Sequence, residues 1–313
     1  MVVLLMGARY GDPQTSGLSA THEEYREARE RKPVLLFVER DVTREPAQQA
    51  FLDEADRWAT GHFRAFFSTP DELMAAVLRA LHDHELAQTA GRVDEAEIRA
   101  RAEALLPDRH GTLGAGSQLT FAVAGGPSRQ VLRPAELERR DLSRDIQHEA
   151  LFGDFAVFDI SEGTRAAIRG TTLVVEQRSS SVILDQAGSI AVVQPARRES
   201  DRREMELPVL FEEEILAAVA CAIRFSGWLL DRVDPLRRIS DVVPVVSLSG
   251  VSYQSWRTRA EHAASPNSGT ISQIAGDIAI TLTPARRHRQ ALTHDADRMA
   301  EDMIVLLRRA IRG

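Results

Sequence analysis

Three short runs decide the fold of the first part of the chain: Val2-Val-Leu-Leu-Met6, Val34-Leu-Leu-Phe-Val38 and Phe63-Arg-Ala-Phe-Phe67. Short apolar runs of this kind read as strands buried on both faces, the pattern of parallel sheets. Helical segments separate them. One is predicted over about 21–31, and a second runs from Pro46 to Trp58 with Phe51, Ala55 and Trp58 on one face. A third follows a Ser68-Thr-Pro-Asp71 cap and repeats apolar residues at Leu73, Val77 and Leu81. The order βαβαβα implies a parallel sheet with right-handed crossovers. The three runs should therefore be neighbouring parallel strands.

The pattern changes after residue 90. Residues 91–116 read as a helical linker that begins with an acidic and arginine-rich stretch over Asp94–Leu106 and ends in the Gly-rich 107–116 segment. Residues 117–313 read as α+β. Strands are expected at 119–124 and 130–132, in a meander over 171–176, 181–184 and 190–193, and again at 242–248 and 278–282. A long helix is expected from about Pro208 to Pro235, with Leu216, Val219, Ile223, Leu230 and Val233 as its apolar stripe. A C-terminal helix carries Met299, Met303, Leu306, Leu307 and Ala310. The fold class is thus α/β: an N-terminal parallel-sheet unit over 1–90 and a larger α+β domain over 117–313.

Composition narrows the function classes. The net charge is −7, of which residues 1–90 hold −5, so neither part resembles a phosphate-tracking surface and nucleic acid is not the expected partner. Lys32 is the only lysine, which excludes a P-loop. The single cysteine, Cys221, cannot form an internal disulfide and fits a reducing, cytoplasmic compartment. No apolar run is long enough to span a bilayer.

The loop after the first run holds Gly7, Arg9, Tyr10 and Gly11, at a strand's C-terminal end where open α/β sheets bind ligands. Arg9 suits a phosphate and Tyr10 suits a base; the same residues also suit a tight turn with Arg9 on a surface carboxylate. Ser19, which closes the loop, is counted with them. Leu5-Met-Gly-Ala-Arg-Tyr-Gly11, Gly17-Leu-Ser-Ala-Thr-His-Glu-Glu-Tyr25 and Lys32-Pro-Val-Leu-Leu-Phe-Val38 follow one another in order. Phe51-Leu-Asp-Glu54, Trp58 and Phe67-Ser-Thr-Pro-Asp-Glu-Leu73 continue the series. Over about residues 2–86 this resembles the family called domain of unknown function 4062.

The resemblance implies a relative of TIR and nucleoside deoxyribosyltransferase domains, hence a partial TIR- or flavodoxin-like unit. It implies that the chain starts at the family's third strand, so that the domain lacks its first strands. It implies signalling or conflict-system roles, with the chain as a sensor or interaction module in bacteria. It also implies the alternative, an N-glycosidase acting on NAD or another nucleotide. In that alternative Glu24, or the adjacent Glu23, acts at the ribose. Thr21-His-Glu-Glu24 reads equally as a capping box, with Glu24 on the Thr21 amide. No cofactor is expected beyond NAD or another nucleotide as ligand. The exposed edge of the first sheet is expected to meet a protein partner or a second copy.

Other clusters point to no chemistry. His22 reads as solvated or capping. His82 and His84 face different sides of a helix, and no pair has metal-ligand spacing, so no metal is expected. Gly114-Ala-Gly116 lacks a third glycine. Arg197, Arg198, Arg202, Arg203 and Arg286-Arg-His-Arg289 read as solvated faces among acidic neighbours, and Cys221 as core.

Overall fold

The first three apolar runs become strands because each has an amphipathic helix to cover it. In the computed structural model they are β1 (Val2–Met6), β2 (Val34–Glu39) and β3 (Phe63–Phe67), separated by α1 (Ala20–Ala28) and α2 (Pro46–Trp58) and followed by α3 (Pro70–Thr89). The structure describes residues 1–29, 32, 34–58, 63–89, 94–107, 116–127, 130–197, 209–252, 254–266 and 276–312. The sheet order is β1-β2-β3 and both pairings are parallel, as the runs predict. Alternate side chains face opposite sides. Leu4, Met6, Leu36 and Val38 meet Tyr25 of α1 and Phe51, Leu52 and Ala55 of α2. On the other face Leu35, Phe37 and Ala65 meet Leu73, Val77, Ala80 and Leu81 of α3. Thr69 precedes α3 and its Oγ1 accepts from the Glu72 amide at 3.2 Å, while the Glu72 carboxylate reaches back to the Ser68 amide at 2.7 Å.

The second part begins with α4 (Glu95–Glu103), capped by Asp94, whose carboxylate accepts from the Ala96 amide at 2.9 Å. β4 (Gln118–Gly126), α5 (Pro134–Leu137) and α6 (Arg140–Phe152) come next, then the meander β5 (Arg165–Arg169), β6 (Thr172–Glu176), β7 (Ser181–Asp185) and β8 (Ile190–Pro195). β9 (Val209–Phe211) leads into α7 (Glu212–Val233), followed by β10 (Asp241–Ser249), β11 (Ser255–Arg257) and α8 (Arg259–Ala264). β12 (Ile278–Thr281), β13 (Arg287–His288), α9 (Ala291–His294) and α10 (Ala296–Arg312) complete the chain. The main sheet is antiparallel in the order β12-β10-β4-β8-β7-β6-β5, with β13 also on β10. β9 and β11 form a separate parallel pair.

Long β4 and β10 pair along their full length and carry two layers. Leu119, Phe121, Val242, Val246 and Leu248 face the core shared with α7 and α10. Ala124, Val243 and Val245 face Ile98 and Ala102 of α4. The stretch read as part of a linker thus contributes a helix that packs on this sheet.

Three readings of the elements need correction, and so does that of Arg286–Arg289 as a solvated face, since Arg287 and Arg289 are buried. Gln130–Leu132 is not a strand: the Val131 and Leu132 amides both donate to the Gln186 carbonyl at 2.8 and 2.9 Å, which docks the segment onto the β7–β8 turn. The long helix starts at Glu212, because residues 209–211 pair with β11 instead. In α10, Ala310 is exposed and Ile311 is buried in its place. Helices α5 and α6 have no counterpart in the sequence reading. Pro208, Gly114 and the arginines at 198, 202 and 203 lie outside the described residues, as do the side chains of Trp58 and His84.

The expected stripe of α7 is otherwise correct: Val219, Ile223, Leu230 and Val233 are buried, and Leu216 is partly so. Gly227 permits α9 to cross closely, since a Cβ there would stand 3.2 Å from the Leu292 Cβ. The end of α7 is held by buried Asp234. It accepts from the Ile239 amide at 2.9 Å, from Arg238 at 3.1 Å and from Arg289 at 2.9 Å. Arg289 also donates to the Leu230 carbonyl at 2.9 Å and to the Asp234 carbonyl at 3.2 Å, closing the helix end.

The two parts touch at β3 and α9. Arg64 lies 3.6 Å from Asp295, and Phe66 meets the His294 ring edge-on at 6.2 Å. Burial, and then the charges of Arg40, Arg79 and Arg64, hold the His294 imidazolium down at about 4.

Two outcomes follow. Arg289→Met removes one of the two guanidiniums that compensate the buried Asp234 carboxylate, so urea denaturation should show a loss of about 3 kcal/mol, with a smaller loss when Asp234→Asn is added. His294 is neutral in the folded protein at pH values where an unfolded histidine is charged. Its contribution is therefore complete above about pH 6.5 and declines as pH falls toward about 4. Melting curves across that window should flatten in His294→Gln.

Candidate functional site

The candidate site sits where β1 and β2 end. The chain leaves β1 through Gly7, whose carbonyl accepts from Gln48 Nε2 at 3.2 Å, and crosses to α1 in a loop closed by Gln14 and Leu18 at 2.7 Å. Gly11 takes a φ of 84°, a left-handed turn that favours glycine.

Tyr10 heads a chain of polar contacts. Its hydroxyl lies 2.7 Å from His22 Nδ1 and accepts from the Ser19 amide at 3.3 Å. His22 Nε2 lies 3.1 Å from Glu54 Oε2. A carboxylate only accepts, so in the neutral ring Nε2 carries the proton and Nδ1 accepts from the tyrosine. The His22 ring stacks on Phe51 with centroids 3.9 Å apart, and Tyr10 meets both rings edge-on. Glu54 also accepts from Arg26 Nε at 2.9 Å and from Arg29 Nη1 at 2.9 Å. Hydrogen bonding from Arg26 first, and from His22, holds the Glu54 carboxyl at about 2. Such a carboxylate is a poor general base at neutral pH: its affinity for a proton is low and its lone pairs are already engaged.

Of the residues proposed from sequence, Tyr10 and Ser19 join this network and the others lie outside it. Ser19 is buried and caps α1, accepting from the His22 amide at 3.3 Å. This corrects the capping box: α1 starts at Ala20, so Thr21 cannot be the cap and Glu24 does not fold back onto it. Glu24 is exposed and makes no hydrogen bond among the described residues. Glu23 accepts from the Ser16 hydroxyl. Arg9 and Gly11 are exposed. The Tyr10 ring, proposed for base stacking, already packs on Phe51, and its amide donates to Glu45 at 2.9 Å.

The sequence reading missed Glu54, Arg26 and Arg29, and it placed His22 in solvent although His22 is buried. A signal existed. Glu54 follows Phe51 by three residues and so shares its inward face, as His22 shares that of Tyr25. Among the described residues no group of histidine, cysteine or carboxylate side chains could hold a metal ion.

Fold and site together define a parallel α/β unit whose crevice loop is closed by its own aromatic and charged side chains. The family model described as Domain of unknown function (DUF4062) matches residues 1–82, which run from β1 into α3. No curated protein matches the chain.

The depressed Glu54 carboxyl has a pH signature. Its ordinary value is 4.5, so its contribution is complete above that pH and is lost as pH falls toward about 2. Glu54→Gln should flatten the acid limb of stability and cost ~1–2 kcal/mol at pH 7 after allowance for solvent screening, read by chemical denaturation.

Proposed function

We propose that this is a cytoplasmic bacterial signalling or defence-associated protein whose N-terminal domain acts as a sensor or interaction module. The carrying observation is the outer face of β1. Val3 and Leu5 pair in register with Leu35 and Phe37 and so share their face, yet they are 42% and 49% exposed. Met74 and Leu78 of α3, the helix on that face, are 59% and 61% exposed. Among the described residues β1 pairs only with β2, which leaves its other edge open. The strand carries none of the charges or prolines that usually protect such an edge. An apolar, unpaired edge of this kind suits a protein partner or a second copy.

The engaged Glu54 and the isolated Glu24 favour binding over N-glycosidic chemistry. No helix among the described residues is long and apolar enough to cross a membrane.

Light scattering over a concentration series tests this reading. The wild type should gain mass with concentration, and Val3→Asp/Leu5→Asp should abolish that gain while keeping the circular dichroism spectrum. A strictly monomeric wild type that also binds no protein through these residues would count against the proposal. Incubation with NAD should release no nicotinamide. Release that disappears in Glu24→Gln would establish the glycohydrolase alternative instead.

A further inference from the structure

A second concave feature lies far along the chain from the N-terminal loop. A cavity of about 460 Å³ opens between the 130–133 segment, the start of α6 and the turn after α7. Small-molecule sites typically measure about 300–1,000 Å³. Its lining has two characters. Val131, Leu142 and Leu236 supply apolar surface. Arg133, Arg139, Arg232 and Arg238 bring four guanidiniums to the same space, against two lining carboxylates, Glu136 and Asp141.

The four arginines differ in how firmly they are held. Arg238 is fixed by Asp234 at 3.1 Å and by the Val131 carbonyl at 2.7 Å. Arg232 crosses to Asp145 of α6 at 2.6 Å. Arg133 pairs with Glu136 at 3.1 Å but is 76% exposed. Arg139 is 65% exposed, and its carboxylate neighbour Asp141 is 3.9 Å away. Arg133 and Arg139 thus keep most of their side-chain surface in water, while Arg232 and Arg238 are engaged by the protein.

The backbone does not oppose an anion here. α7 ends at the cavity, and a helix C-terminus ordinarily repels negative charge. That end is neutralised by Arg289 on the Leu230 and Asp234 carbonyls. α6 begins at the cavity with Arg139 in the N-cap position, where no side chain accepts from its first amides.

We propose that this groove binds a phosphorylated small molecule. Its phosphates lie on the exposed guanidiniums of Arg139 and Arg133, and its less polar part rests on Val131, Leu142 and Leu236. Guanidinium forks match phosphate oxygens in pairs, which a point charge cannot do. The apolar floor distinguishes such a ligand from a bare inorganic anion. The inference is independent of the interaction surface on β1.

Calorimetric titration of the full chain with ATP and with inorganic tripolyphosphate tests it. ATP should bind saturably at one site and more tightly than tripolyphosphate. Arg133→Ala/Arg139→Ala should weaken both probes by about tenfold or more. Arg139→Lys should recover only part of that loss. Leu236→Asp should weaken ATP and leave tripolyphosphate almost unchanged. All three substituted positions are exposed, so the melting temperature should stay close to wild type, which separates lost binding from lost fold. Absence of saturable binding by either probe, or equal binding by the arginine variant, would overturn the proposal. So would tripolyphosphate binding as tightly as ATP with no effect of Leu236→Asp.

Discussion

A carboxylate shut away from water sets the geometry of the larger domain. Asp234 has no exposed surface, and an ion in that position is tolerable only when every lone pair is met. Arg289, Arg238 and the Ile239 amide meet them. They come from two places: the residue after β13, and the adjacent Arg238 and Ile239 between α7 and β10. The ion pair therefore fixes where α7 stops, where β10 enters the sheet and where α9 turns back across Gly227. Arg289 adds the carbonyls of the last turn of α7, so one side chain serves as counter-ion and helix cap. With α7 fixed, β4 and β10 carry apolar layers on both faces, one for α7 and α10 and one for α4.

The N-terminal domain uses a related device for a different end. Tyr10, His22 and Glu54 lie in a line that has the residue types of a proton relay, but its terminus is Arg26 and Arg29 rather than an open space. The carboxylate is held ionised by those guanidiniums, and the histidine is stacked on Phe51. The network ties the crevice loop to α1 and α2, which is what a rigid recognition surface requires. The uncovered apolar surface lies on the opposite face of the same sheet, at Val3 and Leu5. Rigidity on one side and exposed apolar area on the other support the binding role proposed for this domain.

Local pattern carried the parallel order of β1, β2 and β3, the inward faces of α2 and α3, and the core of α7, because an apolar period fixes which side of an element is buried. It also brought the loop at Gly7–Gly11 and Ser19 to notice. It misjudged Thr21 and Glu24, since Ser19 and Thr21, two residues apart, offer competing caps and only packing of His22 and Tyr25 selects Ser19. It read Gln130–Leu132 as a strand, although those amides are satisfied by one distant carbonyl at Gln186.

What the sequence determined by itself is therefore the class of each element and the buried side of most of them, properties that depend on neighbours within a few residues. What only the tertiary structure decided is which polar groups meet. Glu54 reaches Arg26 and Arg29 across two helices, Arg289 reaches Asp234 across 55 residues, and Arg133, Arg139, Arg232 and Arg238 gather around one cavity from segments about a hundred residues apart. Charged residues carry no periodic signal of their own. Their partners are set by how buried surfaces dock, and that docking is a property of the whole chain.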